Sequence, residues 1–501
     1  MSLFSKSSAE LQGSSSPLNL ANLNRPPKSF VFLVAVTAAL TAVHFGYVIS
    51  NINVASNIFG HCDEFASVLK SAPSSHFGLQ GCFKVSTSAW GLVGAGVPIG
   101  GWIGSLTGGS FVKVFGLQKS ILLLNVPLLL GYLLMSFSSS IWMLIAGRLL
   151  QGFVCGLSGV AVPSYISAIT PQASSAVFVN FFQLFLVSGA LIAELVSYGA
   201  DLGRHLWRWR FSFGAGILVC FTQVLLSILG YLPKTPAELE EKGEVEQAGR
   251  LRLKLGFEPS EAENLKNSNS NSNLPKVSDM NTDDASSDSL PNLLSFKIAK
   301  ANKSLVLGLI LHAGQQISGV NAVFFYSALI FSGGTAQTSS FRDPPTLIPI
   351  VLTLVNVLST IVAIWLLKRA GRRPIALLSS CGSAACLFLL AFCMRAYPQV
   401  SVWPMIGFIV LFAVGLGPIP WLMMPEIFPP HWPLTMSAIS VCISANWIVN
   451  IMITGLFPYA ADRLSERKEI IFSVFGLFGT IIFVALYFLM PETRNRLANF
   501  I

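Results

Sequence analysis

Residues 346–374 read TLIPIVLTLVNVLSTIVAIWLL-KRAGRRP. The first 22 of them carry no charge and one amide, Asn356, and the next seven carry four basic residues. An uncharged apolar run of about 20 residues is long enough to cross the hydrocarbon of a bilayer as a helix. Basic residues directly after such a run favour the cytoplasmic side. Eleven further runs of this kind occur, near 30–52, 88–111, 119–139, 142–168, 177–199, 211–232, 303–331, 374–396, 402–424, 435–458 and 470–490.

Composition agrees with this pattern. Of 501 residues, 53% are hydrophobic and 11% charged, with a mean hydropathy of +0.65. Soluble domains carry about 25% charged residues, so the bilayer must solvate much of this chain. The expected fold is all-α and polytopic, with twelve transmembrane helices in two six-helix halves. The expected segments are a cytoplasmic tail 1–29, an N-terminal half 30–232, a cytoplasmic loop 233–302, a C-terminal half 303–490 and a cytoplasmic tail 491–501. Within the loop, the charged stretch 236–258 favours short helices. The Ser/Asn-rich stretch 267–289 reads as a disordered linker. The N-terminus lacks the early apolar stretch of a cleavable signal.

Net charge is +9, but the basic residues sit between apolar runs and do not line one soluble face, which argues against a nucleic-acid partner. With the N-terminus inside, Lys and Arg number three in the N-terminal tail and two between the second and third runs. Ten more lie from Lys234 to Lys303, four in KRAGRRP and two after Pro491, against ten outside. The inner bias favours this orientation, by 11 to ten once the long loop's ten are set aside. Cys62 and Cys82 occupy a polar loop that a disulfide would bridge on an oxidising side. The other six cysteines fall within apolar runs, and no Cys/His spacing suits a metal. No cofactor is expected, and no nucleotide fingerprint or catalytic triad supports an enzyme.

Amides inside spans need partners in hydrocarbon. Gln183, Gln315, Gln316, Asn321, Asn356, Asn446 and Asn450 form such a set, spread over several runs, and Asn446 and Asn450 share a helix face. Amides both donate and accept, as hydroxyls do, so this set suits a neutral polyhydroxy solute. Ser318-Gly319 is an expected loosening point. Pro418 and Pro420 in GLGPIPW must kink or unwind the tenth run, and Trp421 beyond them is placed to meet a sugar ring.

The chain resembles a sugar porter of the major facilitator superfamily, the group containing the facilitative hexose transporters, over about residues 30–500. GQQISGVNAVFFY (314–326), GPIPWLMMPEIFP (417–429), RAGRRP, GRLLQG, VPSYIS, WRW and PETR carry the resemblance. It implies alternating access by a monomer and hexose contact at Gln183, Gln315, Gln316, Asn321, Asn356, Trp421, Asn446 and Asn450. The plasma membrane is the default expectation for the protein's residence, with an internal membrane as the other choice. FGYVIS places Val48 where proton-coupled members carry an acid, which favours uniport. Glu194, eleven residues after Gln183, is expected in an outer, water-filled vestibule.

The inner charge motifs depart from the family. KVFGLQK lacks the usual acid and arginines, Ala168 replaces an acid, Ser175-Ala176 replaces an Arg-Gly pair, and PKTPA carries Lys234 in place of a Glu. Lys368 and Pro433 replace an expected acid and Arg, whereas Arg369, Arg372, Arg373, Glu426 and Glu492 remain. Joint loss of charges avoids stranding any one of them, and it predicts a weakened inner latch that leans the protein towards an inward-open state. Two other readings stay open: a non-transporting sensor of the same fold, and a polyol or proton-coupled transporter.

Overall fold

The structure is a computed structural model that describes residues 28–52, 87–201, 208–257, 299–321, 323–324, 347–428, 434–464 and 467–493. The loop holding Cys62 and Cys82 and the stretch 267–289 lie outside the described residues. Every regular element among the described residues is helical. Eleven helical stretches are long and apolar enough to cross a membrane. Spans 1 to 6 are Ser29–Ser50, Ala89–Phe115, Leu117–Ser136, Ile141–Ile169, Ala173–Gly199 and Trp209–Tyr231. Spans 8 to 12 are Pro349–Ala370, Arg372–Ala396, Pro398–Ile427, Thr435–Phe457 and Glu469–Leu489. Span 7 is described as the helix Ala299–Ile317, a turn at Ser318-Gly319, and helical residues to Phe324. Eleven of the twelve apolar runs of the sequence thus coincide with such stretches, their edges moved by a few residues, and the seventh is helical over most of its described part.

Large apolar side chains such as Phe211, Leu218, Ile228 and Trp403 point outward from the bundle. In water such a surface would be an aggregation hazard; towards lipid it is the expected exterior. Polar side chains turn inward instead. Span 2 packs on span 4 and span 1 on span 5 in the first half, and spans 9 and 12 pair in the second. The halves meet where span 2 lies on span 11 and span 5 on span 8. Ser105 and Ser444 share a hydrogen bond of 3.0 Å across the first of these seams.

The end of the bundle assigned inside by the basic residues is braced differently in each half. In the second half, the Arg372 guanidinium donates to both oxygens of Glu426, at 3.2 and 2.6 Å, and Thr493 donates to the same carboxylate. In the first half the motif acids are missing from their usual places, but the carboxylate is not lost. Glu238 supplies it from the short helix Pro236–Glu241, accepting from the backbone N–H of Leu117 at the start of span 3. The sequence reading of an inner face stripped of its acid at Lys234 is corrected on this point. A second short helix, Val245–Leu255, is tied back by an ion pair between Arg252 and Glu240.

Arg372 and Glu426 are both largely buried, so removing one partner strands the other charge, at a cost of about 3 kcal/mol. Arg372→Leu is expected to lower the detergent melting temperature more than the double variant Arg372→Leu/Glu426→Leu. Size-exclusion profiles after heating will measure both, and a double variant at least as unstable as the single would contradict the pairing.

Candidate functional site

Span 10 is two helices, Val402–Val414 and Ile419–Ile427. Pro418 and Pro420 remove two donors from the ladder, Pro420 the one that would serve the Leu416 carbonyl, and the carbonyls of Leu416 and Gly417 both lie in the unwound stretch between the two helices. Gln315 of span 7 satisfies both, donating from Nε2 at 3.1 and 2.8 Å. Ser379 of span 9 covers the opposite side, its Oγ accepting from the Leu416 N–H at 2.9 Å. An unwound backbone at membrane depth is tolerated only where protein or a cavity receives it, and here side chains receive it.

From Gln315 the hydrogen bonds run on. Asn446 of span 11 donates from Nδ2 to Gln315 Oε1 at 2.8 Å and to the His312 carbonyl at 2.9 Å. Gln316 donates to Asn446 Oδ1 at 3.0 Å, and Asn321 donates to Gln316 Oε1 at 2.9 Å. Gln316 and Asn321 are five residues apart, a separation that on a straight helix would turn them away from each other. The turn at Ser318-Gly319, with Gly319 at φ +85°, brings them together. The loosening point read from the sequence therefore aligns two members of the site.

The remaining members stand around this chain. Gln183 of span 5 is buried and makes no hydrogen bond among the described residues; its Nε2 lies about 3.4 Å from where a Cβ on Gly417 would sit. Asn356 of span 8 is buried, with its Oδ1 unpartnered. Asn450 lies one turn beyond Asn446, accepting from Thr454 at 3.0 Å, and does not join the chain. Trp421 is 3% exposed. Its ring meets Phe45 edge-on at 6.0 Å, Phe182 at 5.0 Å and His312 at 4.9 Å. Span 4 comes close enough that a Cβ on Gly159 would press on the same indole. Trp421 is therefore a plug of the inter-half core, away from any lipid interface. Trp447 of span 11 stacks on Phe45 at 5.4 Å and adds a second aromatic bridge between the halves.

His312 is a member that the sequence did not mark. It is fully buried, its ring touches Trp421, and neither ring nitrogen has a partner. Its position four residues before Gln316, on the same helix face, was the available signal. Glu194 departs from expectation. It is 6% exposed, hydrogen-bonded to Thr353 of span 8, with its second oxygen buried and unpartnered. It sits on the seam between the halves and not in an open vestibule, because span 8 lies over it. Arg148 is buried, donating to the carbonyls of Val48 and Val93 and to Asn51 Oδ1. Among the described residues, no group of His, Cys, Asp and Glu is arranged to hold a metal ion.

Known proteins share this architecture. Residues 34–499 match the family described as "Sugar (and other) transporter". The facilitated glucose transporter member 3 of solute carrier family 2 from Bos taurus is 30% identical over 476 residues, covering 93% of this chain and 90% of that protein. Its Ovis aries counterpart is 31% identical over 420 residues, covering 82% and 80%. Among solved structures, the proton:xylose symporter XylE bound to 6-bromo-6-deoxy-D-glucose superposes with a TM-score of 0.74 at 21% identity, over 93% of this chain and 97% of that one. The inward-open conformation of XylE from E. coli superposes at 0.64 with 19% identity, over 93% and 98%. The chain belongs to the sugar transporter family of the major facilitator superfamily.

Replacing Gln315 by Leu would leave the Leu416 and Gly417 carbonyls unpaired and take one of its acceptors from the Asn446 amide. Each stranded group costs about 1–3 kcal/mol, so Gln315→Leu is expected to lower sugar uptake efficiency by roughly tenfold to 100-fold. Initial rates in reconstituted liposomes will measure it, and unchanged uptake would remove Gln315 from the site.

Proposed function

We propose that the chain moves a neutral hexose such as glucose down its gradient by alternating access. The sugar is bound between the halves by Gln183, Gln315, Gln316, Asn321, Asn356, Trp421, Asn446 and Asn450, with His312 as an added neighbour. One observation carries this reading: among the described residues, no charged side chain hydrogen-bonds to any of the eight. A site of neutral donors and acceptors matches hydroxyls and rejects a carboxylate, which would be desolvated without a counter-charge. Gln183 and Asn356 come from opposite halves with amide groups still to be satisfied. A sugar contacting both would tie its own presence to the seating of one half on the other, which is what rocking about a central site requires. The names of the relatives, facilitated glucose transporters, support glucose over other hexoses.

The first span supports facilitated diffusion. Val48 has no proton to exchange. The Arg148 guanidinium, which an acid on span 1 would otherwise engage, is held by the Val48 carbonyl and two other neutral oxygens. The cation is thus satisfied without a titrating partner. Among the described residues, Glu194 is the carboxyl whose burial on the seam between the halves favours a second reading, proton coupling. A monomer suffices, because one chain supplies both walls of its site, and the plasma membrane is its proposed residence.

Purified protein in liposomes is expected to equilibrate labelled glucose at the same initial rate with and without an inward proton gradient. Glu194→Gln is expected to leave that insensitivity in place. Accumulation above equilibrium, driven by the gradient and abolished in Glu194→Gln, would replace uniport by symport. Absence of any hexose flux, with retained sugar binding, would favour a sensor.

A further inference from the structure

The two halves carry the same backbone device at their inner ends, and in one of them the acid that fills it has moved. Gly116 and Gly371, each opening the turn into an odd-numbered span, hold φ of +79° and +92°. A Cβ on Gly116 would collide with a carboxylate oxygen of Glu238, and one on Gly371 with a carboxylate oxygen of Glu492. Such a turn aims successive N–H groups at an anion. Glu492 accepts from the N–H groups of Arg372 and Arg373, both at 3.1 Å. Glu238 accepts from the Leu117 N–H at 2.5 Å through one oxygen and from the Thr235 N–H at 2.8 Å through the other.

The chain positions of the two acids do not correspond. Glu492 directly follows Pro491 after span 12; after span 6 the matching residue is Lys234, following Pro233. The Lys234 ammonium turns away to Glu244, at 3.8 Å. The carboxylate comes instead from four residues later, from the third residue of Pro236–Glu241. The intervening chain is anchored to keep it there: Gln118 Nε2 donates to the Leu232 carbonyl at 2.7 Å, and the Tyr165 hydroxyl donates to the Pro233 carbonyl at 2.7 Å.

We propose that Glu238 is a positioning residue of the transport cycle. Through it, the short helix Pro236–Glu241 clamps the turn between spans 2 and 3 and holds the inner seam of span 2 on span 11 shut. On this account the helix is a working part of the inner gate. Closure of the first half hangs on a helix outside the spans, whereas closure of the second hangs on the end of its own last span. The weakened latch expected from Lys234 is compensated by Glu238.

Glu238 also completes a capping box with Thr235, so the test must separate the clamp from the cap. A single cysteine at Ser440, buried on span 11 at this seam, is labelled with an impermeant maleimide from the inner face in a background lacking the native cysteines. Loss of a charge-assisted hydrogen bond of this kind is expected to speed labelling by about tenfold in Glu238→Ala. Adding Lys234→Glu, which returns a carboxylate to the place matching Glu492 but leaves the cap broken, is expected to restore slow labelling. Thr235→Ala, which breaks the cap and spares the clamp, is expected to label as slowly as the parent. Labelling of Glu238→Ala within twofold of the parent would overturn the proposal. So would equal acceleration in Thr235→Ala, or a monodisperse double variant that stays fast. Should Glu238→Ala not yield monodisperse protein, Glu238→Gln decides the matter in its place: labelling faster than the parent supports the clamp, and an unchanged rate overturns it.

Discussion

Two carbonyls, those of Leu416 and Gly417, are the point on which this structure turns. Hydrocarbon offers them nothing, and the break that Pro418 and Pro420 impose on span 10 leaves them outside both of its helices. They force a donor-bearing side chain to come close, and Gln315 answers from span 7. Once Gln315 is fixed, its own oxygen fixes Asn446, Asn446 fixes Gln316, and Gln316 fixes Asn321. The broken helix and the amide chain are therefore one object. A backbone defect that would be intolerable against lipid is held in place by the same amides that tie span 7 to span 11.

The aromatic side chains complete that object from the other half. Phe45 and Phe182 bring spans 1 and 5 against Trp421, and Trp447 stacks on Phe45 from span 11. Such ring contacts are non-directional enough to slide and specific enough to register. The halves thus touch through rings near the centre and through small side chains such as Ser105 and Ser444 towards the inner end. Nothing in that seam among the described residues is a salt bridge. The charged clamps lie within each half, where they stiffen the inner ends that meet at the seam.

How much of this was legible in the sequence differs by feature. The span pattern was plain, because a stretch such as 346–367 has no soluble interpretation. The amides were legible as a set, because polar groups in apolar runs need a reason, and the prolines announced the break in span 10. What the sequence could not show was which amides bond one another. That depends on the Gly319 turn and on the distance between spans 7 and 11. His312 escaped because a lone histidine in an apolar run carries no periodic signal of its own. Glu194 was misplaced because the packing of span 8 over span 5 has no trace in local composition. The replacement of Lys234 by Glu238 escaped for a simpler reason: a motif is read at fixed spacing, and a helical turn can deliver the same carboxylate from four residues away.

The central claim is that amides from both halves converge on one wet, uncharged cavity that a hexose fills. Single cysteines replacing Gln183 and Asn356, in a background without the native cysteines, test it most directly through a small water-soluble thiol reagent. The account predicts that both react and that saturating glucose protects both, while the proton gradient changes neither. Failure of either site to react, or reaction that glucose leaves untouched at both, would contradict a shared sugar site between the halves.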